Sequence, residues 1–206
     1  MAETKPKTLV YLVDDDFSIR DSLSLLIETT GQAVRCFESA DAFLNNFDPD
    51  QAGCLILDVR MPTMTGLELQ EELARRDFAI PIIFISGHAD VPDSSKAFRA
   101  GAIDYMEKPF DSNALLTRMQ EAIQKDLDTR VYNAEKRKFK KLLSQLTPRE
   151  HEVLILVVKG HSNKEVAKHL AVSPRTIDVH RAKIMGKMEA EDLAELTVIA
   201  MHCGLI

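Results

Sequence analysis

Two different patterns of apolar and polar positions divide the chain. Over the first 123 residues, short and nearly continuous apolar runs stand at "TLVYLV" (8–13), "AVRCF" (33–37), "CLILDV" (54–59), "PIIFIS" (81–86) and "AIDYM" (102–106). Between and after them lie amphipathic segments at 17–30, 40–47, 66–76, 91–100 and 112–123, punctuated by Gly31, Gly53, Gly66, Gly87 and Gly101. Apolar runs of that length and continuity predict strands covered on both faces. Strict alternation with helical segments predicts a parallel sheet with helices on either side, and five strands in so short a span fit the flavodoxin-like doubly wound fold.

The pattern then changes. Residues 124–142, "QKDLDTRVYNAEKRKFKKL", are charged, lack Gly and Pro, and carry the basic cluster "KRKFKK". They read as a helical or loose linker. From 143 to 206 only helical periodicity remains, with helices expected near 148–158, 163–170, 174–188 and 190–202, a compact four-helix module. Thr147 followed by Pro148 reads as a cap and first helical position, and Gly160 as a C-terminal stop. Leu170, the short turn "AVS" and Ser173-Pro174 join two of these helices as a helix-turn-helix, with Val166, Ala167, Leu170, Val172, Ile177 and Ile184 expected to pack them together.

Charge sharpens the division. The net charge of −6 hides 24 acidic and 13 basic residues over 1–135, which give −11, against 8 acidic and 13 basic over 136–206, which give +5. An acidic front and a basic back imply two modules with different partners, the second suited to nucleic acid. The longest apolar stretch, "AIPIIFI" (79–85), is too short to span a bilayer, and "MAETKPK" at the start lacks the apolar region of a signal peptide, so no membrane association and a cytoplasmic location are expected. Cys36, Cys54 and Cys203 are scattered and form neither a disulfide framework nor a zinc motif.

Candidate chemistry begins where the first strand runs into Asp14, Asp15 and Asp16. Ligands of open parallel sheets sit beyond the carboxyl ends of the strands. Asp14 and Asp15 follow strand one, Asp58 ends strand three, Ser86 ends strand four, and Lys108 follows strand five. Crowded carboxylates suppress one another's ionisation unless a cation stands among them, and oxygen ligands beside phosphate chemistry point to Mg²⁺, or Mn²⁺ in its place. Asp16 is one acid more than a metal needs and reads as a helix cap.

The set "VDDD", "LDVRMPTMTGLEL", "FISGH" and "AIDYMEKPF" resembles the receiver domain of two-component response regulators, in order and spacing, over the first 123 residues. The resemblance implies that Asp58 accepts a phosphoryl group from a sensor histidine kinase. It further implies that Asp14, Asp15, Asp58 and the Arg60 backbone carbonyl hold the metal, and that Lys108 and Ser86 contact the phosphoryl oxygens. Tyr105 becomes the aromatic switch that follows Ser86, the Lys108–Pro109 peptide is cis, and slow self-dephosphorylation accompanies the site without making the protein a turnover enzyme. A vestigial receiver and an Mg²⁺-dependent phosphohydrolase are the competing readings; the second lacks an obvious water-activating residue.

Winding 174–188 at 100° per residue puts Ile177, Ile184 and Met188 on one side, with His180 and Arg181 at its margins. Arg175, Asp178, Val179, Ala182, Lys183 and Gly186 form the opposite stripe. "LTPRE", "SNKEVAKHL", "SPRT-D-HR" and "IM-KM" are similar to the LuxR-type helix-turn-helix domain, and with the receiver the chain resembles the FixJ/NarL group, at its FixJ end. That resemblance implies binding of double-stranded promoter DNA, with Arg175, Thr176, Asp178, Val179, Arg181, Ala182 and Lys183 as the contacting residues. It also implies a homodimer on phosphorylation, a contact with RNA polymerase, and control of transcription, tilted towards activation. Asp178 reads either as a base-contacting acid or as a solvated acid paired within its helix to Arg175 or Lys183.

Overall fold

In the computed structural model, which describes residues 8–87 and 91–206, the chain forms two compact units, Met1–Arg130 and Val131–Ile206. His88 of "FISGH" and the "MAETKPK" segment lie outside the described residues.

The first unit alternates β1 (Leu9–Val13), α1 (Phe17–Glu28), β2 (Ala33–Phe37), α2 (Ala40–Leu44), β3 (Gly53–Asp58), α3 (Gly66–Arg75), β4 (Ile82–Ser86), α4 (Val91–Arg99), β5 (Asp104–Glu107) and the start of α5 (Ser112–Leu143). The five strands form one parallel sheet in the order β2-β1-β3-β4-β5. The strand order reverses between β1 and β3, the place where such sheets open a crevice at their carboxyl ends.

Period-two alternation splits the strand residues between two cores. Val10, Leu12, Cys54, Ile56, Ile83 and Ile85 face α1 and α5, where Leu23, Ile27, Leu115, Met119 and Ala122 cover them. Tyr11, Val13, Leu55, Leu57 and Phe84 face the other way, onto Phe43, Leu69, Leu73 and Ala97 from α2, α3 and α4. Each fully buried side chain of this size contributes about 1.5–3 kcal/mol, so the apolar runs dominate the stability of the sheet.

The region 124–142 is helical throughout, and its first part lies in the first compact unit, which extends to Arg130. Asp126, only 3% exposed, accepts hydrogen bonds from the Gly53 backbone N–H at 2.8 Å and from Arg130 Nε at 2.7 Å. Arg130 also donates to the Asp50 and Gln51 carbonyls. Gly53 itself is required, since a Cβ there would stand 1.8 Å from the Leu9 carbonyl oxygen.

In the second unit the later residues of α5 pack Phe139, Leu142 and Leu143 into a core with Val153, Leu154, Val157, Val166, Ile177, Ile184, Met188, Leu196 and Ile199. Its helices are α6 (Pro148–Val158), α7 (Asn163–Leu170), α8 (Pro174–Met188) and α9 (Leu193–His202). Thr147 caps α6 in a capping box with Glu150, Ser162 caps α7 in another with Glu165, and Ser173 caps α8 ahead of Pro174. Each such cap satisfies orphan N–H groups and contributes about 1 kcal/mol. No helix of the described residues is long and apolar enough to cross a membrane.

Candidate functional site

Four of the five strands of the first unit deliver a polar group at the same edge. β1 ends at Val13, so Asp14 enters the crevice; β3 ends on Asp58, β4 on Ser86, and Lys108 follows β5. Asp14, Asp58 and Ser86 are buried, at 1%, 6% and 1% exposure. Lys108 Nζ donates to Asp14 Oδ2 and to Asp58 Oδ1, each at 2.7 Å, bridging residues far apart in sequence. The Lys108 backbone N–H donates to the Ser86 carbonyl at 2.7 Å, and the Lys108–Pro109 peptide is cis.

Backbone donors hold the remaining oxygens. Asp58 Oδ2 accepts from the Arg60 N–H at 2.7 Å, and Asp14 Oδ1 accepts from the Asp16 N–H at 2.9 Å. Asp16 caps α1 by accepting from the Ser18 N–H at 2.7 Å, which accounts for the extra acid in the cluster. Burial pushes the Asp58 carboxyl above its ordinary range, against the opposing pull of its Lys108 hydrogen bond. For Lys108, burial disfavours the charge, but hydrogen bonds to Asp14 and Asp58 outweigh it and hold the ammonium above its ordinary value.

Among the described residues, no group of three His, Cys, Asp or Glu side chains is gathered closely enough to hold a metal ion. Asp14 and Asp58 converge on the Lys108 ammonium instead, and Asp15 stands exposed beside them. The donor set fits a hard divalent cation all the same. It consists of the Asp14 and Asp58 carboxylates with one ammonium between them, and so carries excess negative charge even before Asp15 is counted.

Two features escape a reading by motif. Gly66 opens α3 directly against the site: its N–H donates to the Val59 carbonyl at 2.9 Å, and a Cβ there would lie 2.2 Å from the Asp58 carbonyl oxygen. Thr63, in the same loop, has φ 67°, a left-handed conformation that strains a β-branched residue. Tyr105 is half-buried, with its ring 6.2 Å from that of Phe84.

In the second unit α8 exposes Arg175, Asp178, Val179, Ala182 and Lys183, and Val179 is 51% exposed. Thr176 and Arg181 are drawn inward. Thr176 joins the cap, its hydroxyl 2.8 Å from Ser173 Oγ, and Arg181 donates to Asn163 Oδ1 at 3.0 Å across to α7. His180 is half-buried, and its Nδ1 has no hydrogen-bond partner among the described residues.

A parallel five-stranded sheet with this acidic crevice, followed by a capped helix-turn-helix, defines a two-component response regulator with a helical DNA-binding domain. The response regulator receiver domain family matches residues 10–120, and the luxR family of bacterial regulatory proteins matches residues 144–200. The chain belongs to the response regulators that pair these two domains, which regulate transcription. It is similar to the transcriptional regulatory protein FixJ of Bradyrhizobium diazoefficiens, 37% identical over 96% of each chain. It is 41% identical to the response regulator protein TodT of Pseudomonas putida, over 92% of this chain and 83% of that one. Among solved structures it resembles the response regulator StyR with a TM-score of 0.81 and 40% identity, covering 95% of this chain and 98% of that one.

Proposed function

We propose that Asp58 is the phosphoryl acceptor, that a sensor histidine kinase is the donor, and that the acyl phosphate controls binding of promoter DNA by the second unit. The observation that carries this reading is the Lys108 ammonium, held 2.7 Å from both Asp58 and Asp14 in a buried crevice. An Asp58 oxygen attacks phosphorus; the new O–P bond forms as the P–N bond of the kinase phosphohistidine breaks, and the leaving imidazole keeps the electron pair and takes a proton from solvent. Lys108, already in the crevice, exchanges its hydrogen bonds to Asp14 and Asp58 for the phosphoryl oxygens. Asp14, Asp15, Asp58 and the Arg60 carbonyl would hold Mg²⁺ or Mn²⁺, which when bound neutralises charge on the phosphoryl group in transit.

The transferred group brings about two negative charges into the crevice. Ser86, at the end of β4, donates to it, and Tyr105, packed on the Phe84 of that strand, follows. A bias of a few kcal/mol between two states is enough to switch populations. The switched state forms a homodimer, frees the DNA-binding unit, or does both, and the DNA-bound protein contacts RNA polymerase. Hydrolysis of the acyl phosphate resets the site slowly, and no substrate is turned over. In this reading residues 1–123 are the receiver, 124–142 the helical linker, 143–206 the DNA-binding domain, and the protein works in the cytoplasm. Arg175 and Lys183 contact phosphates, while Asp178, Val179 and Ala182 face base edges in the major groove.

The test is incubation with Mg²⁺ and a small-molecule phosphodonor, followed by mass spectrometry, solution mass and DNA affinity, with Asp58→Asn alongside. Wild type should gain one phosphoryl group, dimerise and bind promoter DNA more tightly, and the variant should do none of these. Failure to acquire the group would overturn the acceptor assignment.

A further inference from the structure

The recognition helix α8 presents an acid where DNA would approach. Asp178 is exposed on the same stripe as Arg175, Val179, Ala182 and Lys183. A carboxylate in a groove lined by phosphates is repelled unless a base edge offers it a donor. Among the described residues, no ion pair joins Asp178 to Arg175 or to Lys183, although both share its helix face. Its partner is instead on α7: Asn163 Nδ2 donates to Asp178 Oδ1 at 2.5 Å.

That amide cannot turn freely. Asn163 Oδ1 accepts from Arg181 Nη1 at 3.0 Å, so its carbonyl end faces Arg181 and its amino end faces Asp178. Arg181 is in turn half-buried, with its side chain beside Leu154, Val157, Ile184, Met185 and Leu196 of the unit's core. A relay thus runs from the packed interior through Arg181 and Asn163 to one oxygen of Asp178. One carboxylate oxygen is held towards α7, and Oδ2 accepts no hydrogen bond from any described residue.

We infer that Asp178 is a specificity-determining residue that reads a cytosine through its exocyclic amino group, and that Asn163 is the residue that positions it. The inference rests on the DNA-binding reading above. In the major groove only cytosine and adenine offer an amino donor. Adenine places the N7 acceptor directly beside its amino group, where it repels the second carboxylate oxygen. Cytosine places a C–H there, so an acid with one oxygen already satisfied fits cytosine and rejects adenine. Guanine and thymine present acceptors at the corresponding edge and are rejected by charge. The exposed Val179 next to it suits a thymine methyl and adds no competing donor. A rigid reader also loses less side-chain freedom on binding than a free acid would.

The experiment is selection from a randomised duplex pool by the full-length protein treated with Mg²⁺ and phosphodonor, for wild type, Asp178→Ala and Asn163→Ala. Wild type should require cytosine at one position of each half-site. Asp178→Ala should lower the preference there by about tenfold or more while leaving the remaining positions intact. Asn163→Ala should weaken the same position by a smaller factor, about threefold, since the acid remains but is no longer held. A selected sequence unchanged by Asp178→Ala overturns the inference, and so does a uniform gain in affinity for every duplex, which marks a merely repulsive surface acid. If wild type selects a sequence without cytosine dependence, the DNA-binding reading stands and this inference falls. If wild type binds no duplex above background, both fall together.

Discussion

The Asp126 carboxylate accepts a hydrogen bond from the Gly53 N–H at 2.8 Å, which ties α5 to the first residue of the strand whose last residue is Asp58. Gly53 has no Cβ because Leu9 of β1 occupies the space, and Arg130 closes the arrangement by bridging Asp126 to the Asp50 and Gln51 carbonyls. The charge is buried but fully partnered, so its worth appears when one partner is removed.

Asp126→Ala should therefore destabilise the first unit by about 2–4 kcal/mol, since it leaves the Arg130 guanidinium and a buried N–H without their acceptor. Arg130→Met should cost at least as much, because the Gly53 bond survives but a carboxylate only 3% exposed is left without its counter-charge. Amide hydrogen exchange read by mass spectrometry would locate the loss: protection should fall in β3 and along α5, and α6 to α9 should keep theirs.

On the proposed function, Lys108 and a divalent cation compete for the same two carboxylates. Replacing Lys108 with Met removes a positive charge 2.7 Å from both Asp14 and Asp58. Even at a surface-like dielectric that contact is on the order of several kcal/mol in Coulomb energy, much of it offset by desolvation. The variant should melt at a lower temperature than wild type without metal and gain more on adding Mg²⁺, with an apparent affinity at least about tenfold tighter. Phosphoryl acceptance should nevertheless fall, because the pre-oriented ammonium is lost. Thermal melts across an Mg²⁺ series, with a chelator as the baseline, would check both.

Gly66→Ala should displace Asp58, the proposed acceptor, without touching any polar side chain. The new methyl would stand 2.2 Å from the Asp58 carbonyl oxygen and 3.0 Å from the Leu57 Cγ, so β3 or the start of α3 must move. A cost of about 1–3 kcal/mol and a marked loss of phosphorylation by a small-molecule donor are expected. Gly186→Ala is the control. It sits inside α8 with open space around its Cα, and should stabilise the free protein by about 0.5–1 kcal/mol.

The two architectures were legible because each follows from local periodicity. The strand run 33–37 and the helices 148–158, 163–170 and 174–188 agree with the observed β2, α6, α7 and α8 residue for residue. What escaped is non-local and involves backbone groups. Asp126 looks like one more charge in a charged helix until the fold brings the Gly53 N–H to it. Asn163 likewise reads only as the first residue of α7, and its link to Asp178 spans a turn whose geometry no spacing rule specifies. The crevice residues could be located at strand ends. That Lys108, not a third carboxylate, closes over Asp14 and Asp58 follows only from side-chain packing.

Glu150 gives the second unit an acid-sensitive clasp. It is 4% exposed, accepts from Lys187 Nζ at 2.6 Å and from the Thr147 N–H at 2.8 Å, and Lys187 also reaches the Gln145 carbonyl. The Lys187 hydrogen bond, followed by the Thr147 N–H, lowers its pKa from 4.5 to about 2. A carboxyl with a depressed folded-state value contributes stability that is complete above the unfolded value and is lost as pH falls through the folded one. The second unit should therefore hold its stability from neutral pH down to about 4.5 and lose this contribution progressively between there and about 2. Glu150→Gln keeps the side chain's shape but not its charge. It should cost about 1–2 kcal/mol at neutral pH and make the unit's stability nearly flat across that acid window, once the other carboxylates' shared slope is subtracted. Denaturant titrations of both proteins at a series of pH values, followed by helical circular dichroism, would settle it; parallel slopes for the two would rule the clasp out.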